Sequence, residues 1–151
     1  YEEGVRVAFK ESGADGVDAY LDDSKDQPAA YVDNTGNSDD YAQPSTITVK
    51  WDDKAGFETN LERIITQKWI ANWPISPEAW AEYRRTGYPK ILPVVRNQSG
   101  GAIDSDLGIR RMPYPSTLYE TNAAAMQGAI KQLGGTDNGG TKLWWDKNPN
   151  H

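Results

Sequence analysis

The sequence predicts a mainly α, loop-rich fold with a few short β-strands, on three observations. Apolar residues recur at spacings of three and four through Phe57, Leu61, Ile64, Ile65 and Trp69, which marks one buried helix face. Proline and glycine punctuate this helix and its successor at Pro74, Pro77, Gly87 and Pro89. Extended runs elsewhere are short and lie between Asn/Gly/Ser-rich stretches. Residues 1–151 read as one module, long enough to bury roughly 68–70% of its unfolded surface.

Taken in order, residues 1–12 form an amphipathic helix (Tyr1, Val5, Ala8, Phe9) that Gly13 stops at the C′ position. Asp15 is placed to cap a short helix carrying Val17, Tyr20 and Leu21. Periodicity then disappears over 22–53, a long polar loop region that contains Asp33-Asn34-Thr35-Gly36-Asn37-Ser38-Asp39-Asp40 and one β-like run, Thr46 to Trp51. A loop that long inside a compact domain is usually functional or mobile. The strongest helix follows, with Glu58 and Glu62 near its positive end, and Pro74 ends it. Ser76 is the expected N-cap of the next helix, with Pro77 at N1 and Glu78 behind it. Gly87 and Pro89 close that helix, and Arg84 and Arg85 sit at its negative end. Lys90 to Arg96 and Leu107 to Met112 read as extended runs around a flexible loop, the first an edge strand at best because of Pro93. A last helix is expected over Thr121 to Leu133, with Met126, Ile130 and Leu133 inward and Gly134 as its cap. A Gly/Asn loop then leads to Trp144-Trp145-Asp146.

Composition excludes several chemistries. A formal charge of −6 argues against a nucleic-acid partner, which calls for a basic patch. The chain has no cysteine, and its sole histidine is the last residue, His151. Disulfides, thiolate chemistry, a buried Ser-His-Asp triad and a His-ligated metal are thereby ruled out within it. The 22 acids could still supply a glycosidase pair, although the pair cannot be picked out by spacing. Asp33, Asn37 and Asp39 could ligate Ca²⁺, but they match the EF-hand loop only in part and lack its closing glutamate. Gly134-Gly135 and Gly139-Gly140 make no phosphate cradle, since no strand leads in and no Lys-Ser/Thr follows. No apolar run approaches the length of a membrane span. The chain opens at Tyr1 already inside a helical pattern, without initiator methionine or signal peptide, the way a fragment begins.

Six Trp and eight Tyr stand against two Phe and two Met. Such rings, apolar in body and polar at the tip, suit sugar or partner surfaces as well as cores. Three of the tryptophans lie in ITQKWIANWPISPEAWAEYRRTGYP, Ile65 to Pro89. With RRMPYP at Arg110 to Pro115 and LGGTD…KLWWDKN at Leu133 to Asn148, this stretch resembles the C-terminal region of the SusD/RagB family, nutrient-binding lipoproteins of the outer membrane of Bacteroidetes. The resemblance implies the loop-rich C-terminal part of a SusD-like helical-repeat fold. It also implies a preceding signal peptide, lipidated cysteine and larger helical portion, all absent from this chain, with anchoring at the cell surface through that lipid. The implied role is non-catalytic: to bind an oligosaccharide or peptide and deliver it to a SusC-like TonB-dependent transporter, with no cofactor.

Residues inside the three motifs are read as scaffold. Trp69 and Trp80 are expected in the core, and Arg84, Arg85 and Tyr88 brace the end of their helix pair. Arg110 and Arg111 are expected to pair with acids such as Glu120 or Asp146, with Tyr114 beside them. Trp144, Trp145 and Asp146 are expected to staple the chain end onto the helices. Ligand contacts, if this segment makes any, are expected from Tyr31, Tyr41 and Trp51, outside the motifs in the long polar segment. Two rivals stay open: a carboxylate-pair glycoside hydrolase, and a purely structural segment whose ligand site lies wholly in the missing N-terminal part.

Overall fold

The computed structural model describes residues 1–36 and 39–149. Among these residues it is mainly α, with six helices: α1 (Glu2–Ser12), α2 (Val17–Leu21), α3 (Phe57–Ala71), α4 (Ser76–Thr86), α5 (Ser116–Thr121) and α6 (Ala123–Leu133). They fall into two compact units, residues 1–92 and 93–151. Among the described residues, β structure is confined to isolated antiparallel bridges at Tyr31–Tyr41 and Asp104–Gly108. The extended runs 46–51 and 90–96 thus form no ladder, and their backbone must be satisfied by other means.

In the first unit α1 packs on α2 and α3, and α3 packs on α4. Gly13 ends α1 in the left-handed region at φ 70°, as expected. The cap of α2 is Gly16, not Asp15, whose side chain makes no capping bond. Val5, Leu21 and Ile65 form the apolar centre, and Phe9 lies 5.1 Å from the Tyr20 ring.

The buried face of α3 is not the predicted one. Phe57, Ile64 and Trp69 are exposed, whereas Glu62 and Arg63 are buried beside Ile65. The ladder-free segment 45–50 explains the exchange, because it draws its partners from α3. Ser45 donates its hydroxyl to Glu62 at 2.6 Å, and Arg63 Nε donates to the Thr48 carbonyl at 3.1 Å. Lys90 closes on Glu62 at 3.1 Å, which balances that buried charge. From the other side, the Tyr1 hydroxyl donates to the Val49 carbonyl at 2.6 Å. Burial and the neighbouring Tyr20 push the Tyr1 phenol up to about 12.

Helix α4 begins one residue earlier than its signals suggest. Ile75 is the N-cap, and Ser76 is already helical. Its far end is built by Thr86, Gly87 and Tyr88. Thr86 is buried and donates its hydroxyl to the Glu82 carbonyl at 2.8 Å while accepting the Tyr88 amide at 3.1 Å. Gly87 sits at φ 78°, a conformation that a side chain would strain. Buried Tyr88 reaches back to Glu58 at 3.0 Å, which ties the two helices together. Lys68 of α3 pairs with Glu78 at 2.9 Å and Glu82 at 2.6 Å, and Arg85 also pairs with Glu82. Burial opposes the Glu82 charge, but Lys68 and Arg85 outweigh it and hold the carboxyl below its ordinary range.

The second unit is organised by backbone and ion pairs. The expected last helix is α6, which begins two residues later than predicted, at Ala123, and the short α5 before it was not expected; Met126 is buried as expected. Gly139 donates its amide to Ala102 at 2.7 Å and accepts the Arg110 amide at 2.7 Å. A Cβ at Gly139 would stand 3.2 Å from the Ala102 carbonyl oxygen, so a glycine fits there best. Arg110 is 0% exposed and grips Asp146 with two bonds of 2.8 Å, from Nε and from a terminal nitrogen. Arg111 pairs not with Glu120 but with Asp137, and its guanidinium lies 4.8 Å over the Tyr114 ring. The terminal WWD acts through its aspartate: Trp144 is 83% exposed and Trp145 is also exposed, while Asp146 is buried.

Removing one partner of the Arg110–Asp146 pair strands a buried charge. Asp146→Ala should lower unfolding free energy by about 3–5 kcal/mol, far more than loss of the exposed Arg6–Asp18 pair in Arg6→Ala. Urea melts of both variants decide it; equal small losses would contradict the assignment.

Candidate functional site

The long polar segment contains a paired aromatic feature. The Tyr31 amide donates to the Tyr41 carbonyl at 3.0 Å, and the Tyr41 amide returns the bond at 3.1 Å. Directly opposed residues in such a pair stand side by side on the same face. Both rings are exposed, so the bridge presents two adjacent phenols to solvent.

The intervening loop is acidic and internally bonded. Asp33 accepts from the Thr35 amide at 2.8 Å and the Thr35 hydroxyl at 2.5 Å, and its other oxygen lies 3.4 Å from the Asp39 amide. The Asp33 amide in turn donates to Asp40 at 2.8 Å. These bonds hold a turn in the way expected of Asx residues. Of the Ca²⁺ candidates, Asn37 lies outside the described residues, as does His151. Among the described residues no group of three or more acids or histidines is arranged to hold a metal.

Trp51 has its partners elsewhere. It stacks on Tyr1, with centroids 5.1 Å apart and planes at 30°, and donates its indole N–H to Asp53 at 2.8 Å.

A second surface was missed as a surface because its residues read as core. Trp69 is 46% exposed, Trp73 is 86% exposed and Trp80 is half-buried. With Pro74, Tyr83 and Ile91 they line a hollow of about 500 Å³ along α3 and α4. Arg84 lies 3.6 Å over the Trp80 ring, a cation–π contact.

Asp137 was also missed, hidden in a Gly/Asn-rich stretch that reads as a turn. It joins the RRMPYP segment to α5. Its carboxylate accepts from Arg111, from the Tyr114 amide at 3.1 Å and from the Tyr119 hydroxyl at 2.5 Å. Burial works against the charge, but Tyr119 and Arg111 outweigh it and hold the carboxyl below the usual range. The bond to Asp137 raises the Tyr119 phenol correspondingly. Such a group braces structure; it offers no proton for chemistry near neutral pH.

The linkage has a definite sign. Asp137 binds its proton less readily in the folded state, so its stabilisation is complete above an ordinary carboxylate pKa of about 3.9 and is lost as pH falls through the lowered value. Asp137→Asn should flatten the acid limb of stability measured by urea melts between about pH 5 and pH 2. An unchanged slope would assign that acid sensitivity to other carboxyls.

Comparison with known proteins places these features in context. Residues 1–146 match the SusD-like family, described as SusD and RagB outer membrane lipoprotein. The chain is 53% identical to a SusD homolog from Bacteroides uniformis, with a TM-score of 0.88 over 98% of this chain and 31% of that one. It is 46% identical to a SusD homolog from Bacteroides thetaiotaomicron, with a TM-score of 0.87 over 98% of this chain and 32% of that one. A third structure, a chitin-binding SusD homolog from Flavobacterium johnsoniae, is 42% identical, with a TM-score of 0.86 over 100% of this chain and 32% of that one. The chain therefore spans about a third of the length of these relatives. No curated protein sequence shows significant similarity to it.

Proposed function

The chain belongs to the SusD-like family of outer membrane lipoproteins, and from that membership we propose that it is part of a lipid-anchored surface protein that binds a neutral oligosaccharide unchanged and passes it to a SusC-like TonB-dependent transporter. The observation that carries the reading within this chain is the Tyr31–Tyr41 pair. Two adjacent exposed rings suit the apolar faces of successive sugar residues, and the acids around them suit hydroxyls. Asp33, Asp39 and Asp40 disfavour an anionic ligand by like-charge repulsion. The chitin-binding relative, 42% identical, supports an uncharged glycan over a peptide. In this reading Trp51 braces the segment from its stack on Tyr1, and the tyrosine pair is the platform.

Delivery of this kind needs no chemical step. A general acid working near neutral pH needs a raised pKa, whereas Asp23, Glu82 and Asp137 are all held low by the hydrogen bonds they accept. Those three carboxyls are therefore poor general acids near neutral pH.

Tyr31→Ala and Tyr41→Ala, each made in the full-length protein, should weaken a neutral oligosaccharide about tenfold in calorimetric titration, with melting temperature kept within about 2 °C. A sulfated oligosaccharide of equal length should bind more weakly than the neutral one. New reducing ends after incubation would overturn the non-catalytic reading, and unchanged affinity in both variants would place the site elsewhere.

A further inference from the structure

The turn after α6 contains the chain's one Asn-Gly pair, Asn138-Gly139. Such a pair carries a latent reaction. Once its proton is gone, the glycine amide nitrogen can attack the asparagine Cγ, and glycine has no side chain to hinder the approach. A bond forms between nitrogen and Cγ, the Cγ–Nδ2 bond breaks, and the side-chain NH2 leaves with that proton as ammonia. Water then opens the cyclic imide at either carbonyl. One opening gives aspartate. The other gives isoaspartate, whose main chain runs through the former side chain and is one carbon longer.

Both reacting groups are held in other bonds. The Gly139 amide donates to the Ala102 carbonyl at 2.7 Å, which commits its proton and its direction. The Asn138 carboxamide is committed as well. Its Nδ2 donates to Thr136 Oγ1 at 3.0 Å, and its Oδ1 accepts from the Gly140 amide at 3.1 Å, the Thr141 amide at 3.0 Å and the Thr141 hydroxyl at 2.9 Å. Swinging Cγ onto the glycine nitrogen would break these bonds together, at a residue, Gly139, that is itself buried.

The same contacts decide what the products do. The Gly139 carbonyl accepts the Arg110 amide at 2.7 Å, and the Arg111 guanidinium donates to the Asn138 carbonyl at 3.3 Å. An extra main-chain carbon must displace Gly139. Yet a single carbon added there would stand 3.2 Å from the Ala102 carbonyl oxygen and 3.3 Å from the Ile103 side chain. Packed surroundings take up such a displacement poorly. Aspartate, by contrast, keeps an oxygen for the Gly140 and Thr141 donors and gives up only the bond to Thr136.

We infer that Asn138 is a deamidation site kept silent by the fold. The reaction proceeds in chains whose second unit has opened, and the isoaspartyl product stops them from closing it again. Deamidation at this turn is thus a covalent record of unfolding. The inference rests on the bonds and packing of the turn and stands independently of glycan binding.

The test uses the full-length protein at mildly alkaline pH, native and in guanidinium chloride. Mass spectrometry follows the tryptic peptide 132–142, in which Asn138 is the sole asparagine. Conversion should be at least about tenfold slower in the native protein, since reaction waits on local opening. Asp146→Ala, which strips Arg110 of its partner, should raise the native rate severalfold. Where that variant fails to fold, Thr141→Ala, which removes one bond to Oδ1, gives the same readout. Chains aged in denaturant are then refolded and briefly exposed to protease. The surviving fraction should be depleted of isoaspartate, which chromatography separates from aspartate. Equal rates in the native and unfolded protein overturn the inference. So does a native rate that neither variant changes, or isoaspartate at the same share in surviving and digested chains.

Discussion

A chain this poor in sheet must satisfy the backbone of its extended segments without ladders, and buried charged side chains do that work here. Arg63 bonds the Thr48 carbonyl from α3, and Glu62 takes the Ser45 hydroxyl while Lys90 balances it. In the second unit, Arg110 holds Asp146, and Asp137 gathers Arg111, Tyr119 and the Tyr114 amide. An unpaired backbone group away from water costs free energy comparable to a lost hydrogen bond, so each such contact fixes a stretch of otherwise irregular chain. Arginine suits the task because its planar fork supplies several donors from one rigid group.

This use of α3 has a consequence for its other side. A helix has only so much circumference, and the polar residues that face the extended segment displace the aromatic ones outward. Trp69 and Trp73 then combine with α4 to make a groove in place of a core. The same hairpin is thus both an internal scaffold and a surface, through residues separated by a few positions along one helix.

The two exposed surfaces of the chain differ in character. The Tyr31–Tyr41 pair is shallow, polar at its edges and carried on a loop braced at Tyr1, Asp23 and α3. Loops of that kind can change between relatives while the scaffold beneath them stays the same. The hairpin groove is lined mainly by apolar side chains.

The positions of α1 to α4 and their stops were legible in the sequence, because apolar spacing, Gly13, Pro74 and Gly87 act within a turn or two of where they stand. So were the three motifs, which carried the resemblance to the family the chain belongs to. The sequence alone also excluded histidine and thiol chemistry. What it could not determine was which face of α3 turns inward, that Trp144 and Trp145 stay exposed while Asp146 is buried, or that Asp137 and not Glu120 receives Arg111. Nor could it show Tyr31 and Tyr41 facing each other across a loop. Each of these depends on residues 10 or more positions apart meeting in space, where the need to satisfy a distant carbonyl or charge outweighs local apolar spacing, and only the tertiary structure brings those groups together.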